Sequence, residues 1–451
     1  MKILLISPAV DPHKRTNKQL MIPPLALYIL EGLTPPEHEV KIIEEEIEEI
    51  NLNEVCDLVG ISCMTANAPR AYEFATAFKK RGKKVILGGV HPTILPEEAS
   101  RYADCVVIGE AEGVWETLIH DLQEGHLQKK YYNPNPDLGK YIPKKFSKRV
   151  NNRLFKLIPI LTSRGCPYNC DFCCVTNLFG AKIRHIPIAN VVRDIIDSKA
   201  RNIIFLDDNI IGHKQYAKEL FTALKPLKIN WVGQASISFI NDREMIKLAA
   251  ESGCRALFIG IESVYEKQMR ILPKMIKNIQ NLERALKEIR KFHILIHASI
   301  IYGFDNDTLN VFDETVDFLI RNKVSTVSFN VLTPYPGTKT FQTLKMEGRL
   351  INDNWKYYDH NTVVFLPQNM TPYELQYGKT MSRRKFYSIK SIFKRLVGNM
   401  YSPGIYLAAN YGHFKQVKLE AKRIIRLKKE LFDKNPNEKF TPLKIVEASS
   451  L

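Results

Sequence analysis

The sequence predicts an α/β protein. A doubly wound, Rossmann-like sheet comes first, six further β/α units follow, and a basic, mostly helical region closes the chain. Three observations predict this. Short apolar runs alternate with amphipathic helical stretches through the first 345 residues, the pattern of parallel sheets covered by helices. The alternation is interrupted over residues 126–157, which are rich in Lys, Asn, Pro and Tyr, as a crossing linker would be. It stops after residue 345, where helical patterns take over. The expected division is therefore 1–125, a linker 126–157, 158–345 and 346–451. A chain of 451 residues is long enough for about three domains. With 45% hydrophobic and 25% charged residues it has ordinary globular composition, which excludes disorder, collagen and a coiled coil. No stretch approaches the ~18 apolar residues of a membrane-spanning helix. The start, Met1 to Pro8, has too short an apolar run for a signal peptide, so a cytoplasmic location is expected.

In the first domain Ile3–Ile6 reads as a strand, Pro23–Leu33 as a helix, and Val40–Glu44, Leu58–Ser62, Val85–Leu87 and Cys105–Ile108 as further strands. Helices are expected at Ala68–Lys80, Pro96–Tyr102 and Gly113–Glu124. Ligands of such sheets sit beyond the carboxyl ends of the strands. That points to Ser7, to Ser62 and Thr65, to Gly88, Gly89 and His91, and to Glu110. Gly88-Gly89 lets a large ligand approach the backbone. No G-x-G-x-x-G follows the first strand, so a nicotinamide site is not expected.

In the second domain the strands are Leu157–Leu161, Asn202–Leu206, Asn230–Ile237, Ala256–Ile261, His293–Ile301 and Thr326–Leu332. Helices are expected at Ile188–Lys199, Gln215–Leu224, Asp242–Ser252, Met275–Phe292 and Asn310–Asn322. Polar residues stand where barrel active sites are built, at the carboxyl ends of strands. They are Asp207, Asp208 and Asn209 after the second strand, Gln234 within the third, and Glu262 and Ser263 at the end of the fourth. Tyr302 ends the fifth strand, and Pro336 follows the sixth.

Four of the eight cysteines fall within nine residues, Cys166-Pro-Tyr-Asn-Cys170-Asp-Phe-Cys173-Cys174. A secreted disulfide protein would spread them in pairs. Three thiolates spaced C-x3-C-x2-C on one loop can hold three irons of a cubane cluster and leave the fourth iron open, since four cysteines are the usual complement. Structural zinc wants four ligands, often as two C-x2-C pairs, and no second pair exists. Cys174 directly follows Cys173 and reads as packing. Cys56, Cys63, Cys105 and Cys254 read as small buried hydrophobes.

The C-x3-C-x-F-C loop after a strand resembles the signature of the radical S-adenosylmethionine (SAM) enzymes. The resemblance implies a partial TIM barrel. It implies that Cys166, Cys170 and Cys173 ligate a [4Fe-4S] cluster whose open iron chelates SAM, and that a 5′-deoxyadenosyl radical abstracts hydrogen from an unactivated carbon. By the same resemblance Phe172 lies against adenine, Asp207, Asp208 and Asn209 stand near the SAM amino group, and Glu262 and Ser263 suit the ribose. Tyr302 and Pro336 belong to loops that close on adenine, and Gln234 faces the reaction space. The first domain, with Ile22-Pro23-Pro24-Leu25-Ala26-Leu27 and Leu87-Gly88-Gly89-Val90-His91-Pro92-Thr93, resembles the cobalamin (B12)-binding domain that precedes the barrel in a large subclass. The D-x-H-x-x-G sequence that brings a histidine to cobalt elsewhere is missing, and Asp11-Pro12-His13 does not reproduce it. The subclass implies a C-methyltransferase using cobalamin and SAM, with a reducing electron-donor protein as partner. Ring closure, rearrangement, deoxygenation or carbon–carbon coupling is the alternative, and a metal-bearing scaffold the remote one. Methylthio transfer is disfavoured, because Cys56, Cys63 and Cys105 form no second cluster motif.

The net charge is +17, and residues 373–451 carry 17 Lys and Arg against 6 Asp and Glu. Helical patterns at Pro372–Leu396 and Ala408–Asp433 hold Arg383-Arg384-Lys385 and Lys422-Arg423-Ile424-Ile425-Arg426-Leu427-Lys428-Lys429. Basic residues beside apolar ones suggest a helix lying on an anionic membrane. Nucleic acid is disfavoured for want of a binding motif. The substrate is expected to be a small molecule or a lipid.

Overall fold

The computed structural model describes residues 1–11, 22–139, 157–238, 242–273, 276, 278–428 and 431. Two parallel six-stranded sheets organise it. The first is built from β1 (Lys2–Ser7), β2 (Glu39–Glu44), β3 (Leu58–Ser62), β4 (Lys84–Gly88), β5 (Cys105–Gly109) and β6 (Lys130–Asn133), in the order 2-1-3-4-5-6. The apolar run Ile3–Ile6 is central because both its faces are covered; these four residues are at most 2% exposed. β1 pairs with β2 on one side and with β3 on the other. The strand order reverses there, so a crevice opens beyond its carboxyl end. Leu4, Ile6, Val59, Ile61, Phe74 and Phe78 form the core under one face. β6 was not expected. It lies inside the stretch read as a linker, and its residues Lys-Tyr-Tyr-Asn are half-exposed or exposed, so an edge strand there carries no apolar signal. Most of the rest of that stretch, residues 140–156, lies outside the described residues.

The second sheet runs from β7 (Leu157–Ile160) through β10 (Asn202–Phe205), β11 (Asn230–Ser236), β12 (Cys254–Glu262) and β13 (Leu295–Tyr302) to β14 (Thr326–Val331). Between β7 and β10 a short antiparallel ribbon, β8 (Ser163–Arg164) and β9 (Arg184–His185), brackets the cysteine loop. The five helices expected between these strands are present, and three of them start on side-chain caps, such as Asp242 on the amide of Met245 and Asn278 on that of Asn281.

The chain forms two compact units. One comprises residues 1–233 with 335–341 and 354–359, the other residues 234–334, 342–353 and 360–451. In the second, β14 is an edge strand, and the C-terminal helices cover it. Tyr387 Oη both accepts from the amide of Val327 (2.8 Å) and donates to its carbonyl (2.7 Å), which satisfies the strand's outer edge. This tyrosine also explains why the long helix expected at Pro372–Leu396 is two helices, Pro372–Phe386 and Ile389–Leu396, with Ser388 capping the second. The last helix is Pro403–Leu427. No described helix is long and apolar enough to cross a membrane.

Candidate active site

In the first unit the cysteine loop hangs on carboxylates. Asp207 and Asp208 follow β10. Asp207 is 2% exposed and accepts from the Thr162 hydroxyl (2.6 Å), the Ser163 hydroxyl (2.6 Å) and the Thr162 amide (3.2 Å). Burial pushes its carboxyl up to about 6, although these donors pull the other way. Asp208 takes the amide of Gly165 (2.9 Å). Gly165 has φ +93, and a Cβ there would sit 2.1 Å from the Lys182 carbonyl oxygen, so only glycine lets the ribbon lead into Cys166. All eight cysteines are free thiols. Cys170 is buried, Cys166 and Cys173 are half-exposed, and the amide of Cys173 closes a turn on the Cys170 carbonyl (2.9 Å). Cys174 caps the helix Val175–Phe179. Cysteines that each bind a different iron stand farther apart than ligands sharing one ion. Among the described residues no three Cys, His, Asp or Glu side chains are grouped as for a single ion. The donor set fits a cluster on Cys166, Cys170 and Cys173.

On the other side the loop is tied to the first sheet. Arg164 bonds Glu110 and Glu112, which follow β5 in Gly109-Glu110-Ala111-Glu112. Arg184, its neighbour across the ribbon, also bonds Glu110 and donates to the Pro136 carbonyl (3.0 Å). The Arg164, Glu110 and Glu112 side chains are 13%, 6% and 5% exposed. Burial alone would lower the Arg164 pKa, but Glu112 and Glu110 outweigh it and hold the guanidinium charged.

A cavity opens within this unit at the carboxyl ends of β3, β4 and β5. Gly60, Ser62, Gly88, Gly89 and Gly109 line it, with Trp115, Glu110, Glu112 and, from the cysteine loop, Arg164 and Phe179. Its wall is mostly apolar. Gly89 has φ +96, and a Cβ there would lie 2.8 Å from the Cys63 carbonyl oxygen and 2.9 Å from Ser62 Oγ. A Cβ on Gly60 would lie 2.9 Å from Leu5 Cδ2. This glycine-lined cradle fits a large flat cofactor such as cobalamin.

Three expected residues, His91, Thr65 and Ser7, lie outside the cavity lining. His91 is fully buried and turned away from the cavity. Its Nε2 lies 3.2 Å from Glu98, which also accepts from Tyr72 Oη (3.0 Å) and Trp355 Nε1 (3.1 Å). Thr65 lies 3.4 Å from His91 Nδ1 and is likewise buried. Ser7 ends β1 outside the cavity lining. Asn209 is buried, and its carbonyl accepts the amide of Gly212 (2.9 Å). Phe172 is half-buried and Pro336 buried.

In the second unit Glu262 ends β12 with φ 60, and the Ser263 amide bonds the Ile261 carbonyl (2.7 Å) around it. The pairing with β13 shifts register there. Left-handed backbone at a non-glycine residue costs ~1–2 kcal/mol and collects at functional positions. Ser263 Oγ accepts the Tyr265 amide (3.1 Å), and Gln234 is exposed. Tyr302 is a core residue, not a cofactor contact. Strand alternation puts it with Ile296, Ala298 and Ile300, where it is fully buried, stacks on Phe329 and donates to Ser382 Oγ (3.1 Å). The opposite face of β13 and β14 carries a polar row that sequence reasoning missed. His297 bonds Thr326 and Ser328 (both 2.9 Å), and Asn330 donates to Ser299 Oγ (3.1 Å). Glu112 and Arg184 were missed too, although Gly-Glu-Ala-Glu after a strand was a usable signal.

The Radical SAM superfamily model matches residues 160–319, and the B12 binding domain model matches residues 22–119. Bacteriochlorophyllide d C-12(1)-methyltransferase of Chlorobaculum tepidum is 30% identical over 410 residues, 88% of this chain and 90% of the relative. The chain belongs to the cobalamin-binding radical SAM family. The C-8(2)-methyltransferase of the same organism is 30% identical over 395 residues, 83% of this radical SAM chain and 88% of that relative. Among solved structures, the radical SAM methyltransferase TsrM of Kitasatospora setae shares the fold at a TM-score of 0.64, with 17% identity over 78% of this chain and 77% of that one. OxsB with aqua-cobalamin does so at 0.66, with 15% identity over 96% and 76%. Membership brings a [4Fe-4S] cluster, SAM and cobalamin, a reducing electron donor and a small-molecule substrate.

Proposed function

We propose that this enzyme methylates an unactivated carbon of a large, mostly apolar ring compound. The observation that carries the reading is that Arg164, two residues before Cys166, lines the same cavity as Gly88, Gly89 and Gly109. A cluster site and a cobalamin site on those residues adjoin within one compact unit. When bound, the cofactors supply one-electron cleavage of SAM, hydrogen abstraction from the substrate carbon and the methyl group. The protein's own residues hold and orient. Cys166, Cys170 and Cys173 ligate, Asp207 and Asp208 fix the loop, and Glu110 and Glu112 fix Arg164. Glu262 and Ser263 are assigned to the ribose, Gln234 to the reaction space, and Phe172 and Pro336 to adenine. The substrate class follows the relatives, which are named for bacteriochlorophyllide d and, for the Rhodopseudomonas palustris relative at 22% identity, for hopanoid C-2.

The test uses reconstituted holoenzyme, a strong reductant and SAM labelled in its methyl group. Without any substrate, label should pass to cobalamin, and 5′-deoxyadenosine should form. With a chlorin or a hopanoid, one labelled methyl should appear in the product. Deoxyadenosine formed with an altered but unlabelled product would replace methyl transfer with ring closure, rearrangement or coupling. No deoxyadenosine would remove the radical reading.

A further inference from the structure

Of the basic residues expected to meet a membrane at Arg383–Lys385 and Lys422–Lys429, several are paired within the fold, while Arg384 and Arg426 are exposed. Arg383 is turned inward onto Glu420 (2.6 Å) and Gln416 (2.7 Å), Lys385 pairs with Asp313 and Asp317, and Arg423 donates to Thr362 Oγ1 (2.7 Å). Lys429 lies outside the described residues, and the side chain of Lys422 does too. A different surface has the character of a lipid contact.

The helix Ile389–Leu396 is amphipathic in the inverted sense. Its inner face is polar: Ser391 and Arg395 are buried, and Asn399 just beyond it is fully buried. Arg395 donates to the carbonyls of Ser325 (2.6 Å), Phe386 (2.9 Å) and Val324 (3.1 Å) and to Asn410 (3.0 Å). Its outer face carries Ile389, Phe393 and Val397 at i, i+4 and i+8, exposed to 62%, 62% and 76%. A helix on a water-facing surface puts its charges there instead. Met400, Ile405 and Tyr411 continue the exposure at 61%, 53% and 58% into the last helix. The two helices are locked as a hairpin by Arg395 on Asn410 and by Tyr406 Oη on the Ile392 carbonyl (2.7 Å). An exposed apolar patch of this kind marks a contact surface.

Charge decides what the patch meets. Residues 375–419 contain nine Lys and Arg and no Asp or Glu. The exposed Lys390 and Lys394 stand beside Phe393 on the outer face, and Lys415 lies over the Tyr411 ring (4.5 Å). An apolar stripe flanked by lysines, in a segment without carboxylates, matches an anionic bilayer surface: side chains enter the acyl boundary and ammonium groups meet phosphates. No described helix can span, so the contact is peripheral. We propose that the hairpin of residues 389–411 seats the enzyme on anionic lipid. The seating does not depend on the methyl-transfer reading.

The experiment is flotation of the full-length holoenzyme with vesicles of phosphatidylcholine alone and of phosphatidylcholine with phosphatidylglycerol. Wild type floats with the anionic vesicles and loses this at high salt. Phe393→Glu with Val397→Glu abolishes flotation. Lys390→Glu with Lys394→Glu weakens it by roughly fivefold or more per lysine, on anionic vesicles only. Both variants change exposed residues, so iron content and deoxyadenosine formation stay at the wild-type level and report an intact fold. Wild type that fails to float with anionic vesicles, or an apolar double variant that floats like wild type, overturns the proposal. A dimer of wild type in light scattering that Phe393→Glu dissolves overturns it as well, because the patch then meets a second copy of the chain.

Discussion

Two buried arginines show how differently the two units use the same side chain. Arg164 faces two buried carboxylates, and its charge is held. Arg395 faces carbonyls and an amide oxygen, and burial pulls it down to about 10. The first ties the cysteine loop to Glu110 and Glu112 after β5, so it fixes that loop against the glycine-lined cavity. The second caps chain ends around β14 and fixes a helical hairpin. A paired charge gives rigidity where geometry matters to the reaction; a charge spread over carbonyls gives satisfaction of an edge.

The comparison can be broken at Arg164 first. Arg164→Met leaves Glu110 and Glu112 buried with Arg184 as the remaining cation, and about 3–5 kcal/mol of stability is lost from that region. Iron content after reconstitution should fall well below wild type, and cobalamin retention should fall with it. Full iron and cobalt loading in the variant would separate the two sites that Arg164 is held to join. Arg395→Met strands several carbonyls, a cost of about 1–3 kcal/mol. Thermal denaturation should show it, with metal content unchanged. A smaller effect comes from Trp355→Phe, which removes one of the hydrogen bonds on Glu98 at about 1 kcal/mol and leaves cobalamin affinity as it is, since His91 does not line the cavity.

The smallest effect is a pH slope. Burial holds His297 down to about 3 and His413 down to about 4, so both are neutral in the fold. Their folded values lie below the unfolded one of about 6.5. The stability they contribute is present above that pH and is lost as pH falls towards 4 and then 3. His297→Gln should flatten urea-measured stability across this window, and an unchanged slope would place the acid sensitivity elsewhere.

The cysteine loop and the glycine turn were legible in the sequence because each is written in neighbouring residues. Cys166, Cys170 and Cys173 need one loop, and Gly88-Gly89 one turn. Strand alternation was legible as well, yet reading Tyr302 as a strand-end residue ignored which face it takes. Asp207 shows a second limit: a polar residue after a strand can serve the ligand or the loop beside it, and only the Thr162 and Ser163 hydroxyls 45 and 44 residues away decide. Arg164 and Glu110 are separated by 54 residues, and His91 and Trp355 by far more, so no local pattern announces either contact. The inverted helix at Ile389 was not legible, because amphipathicity gives a stripe but not its direction. A buried arginine took the side that apolar residues usually claim.

The central claim is that one compact unit holds a cluster on three cysteines beside a cobalamin in a glycine-lined cavity. The direct measurement is iron and cobalt content after anaerobic reconstitution, for wild type, Cys170→Ala and Gly89→Leu. Wild type should carry about four irons and one cobalt per chain. Cys170→Ala should lose iron and the deoxyadenosine product while keeping cobalt, and Gly89→Leu should lose cobalt while keeping iron. Wild type without cobalt, or Cys170→Ala with full iron and undiminished SAM cleavage, would contradict the account.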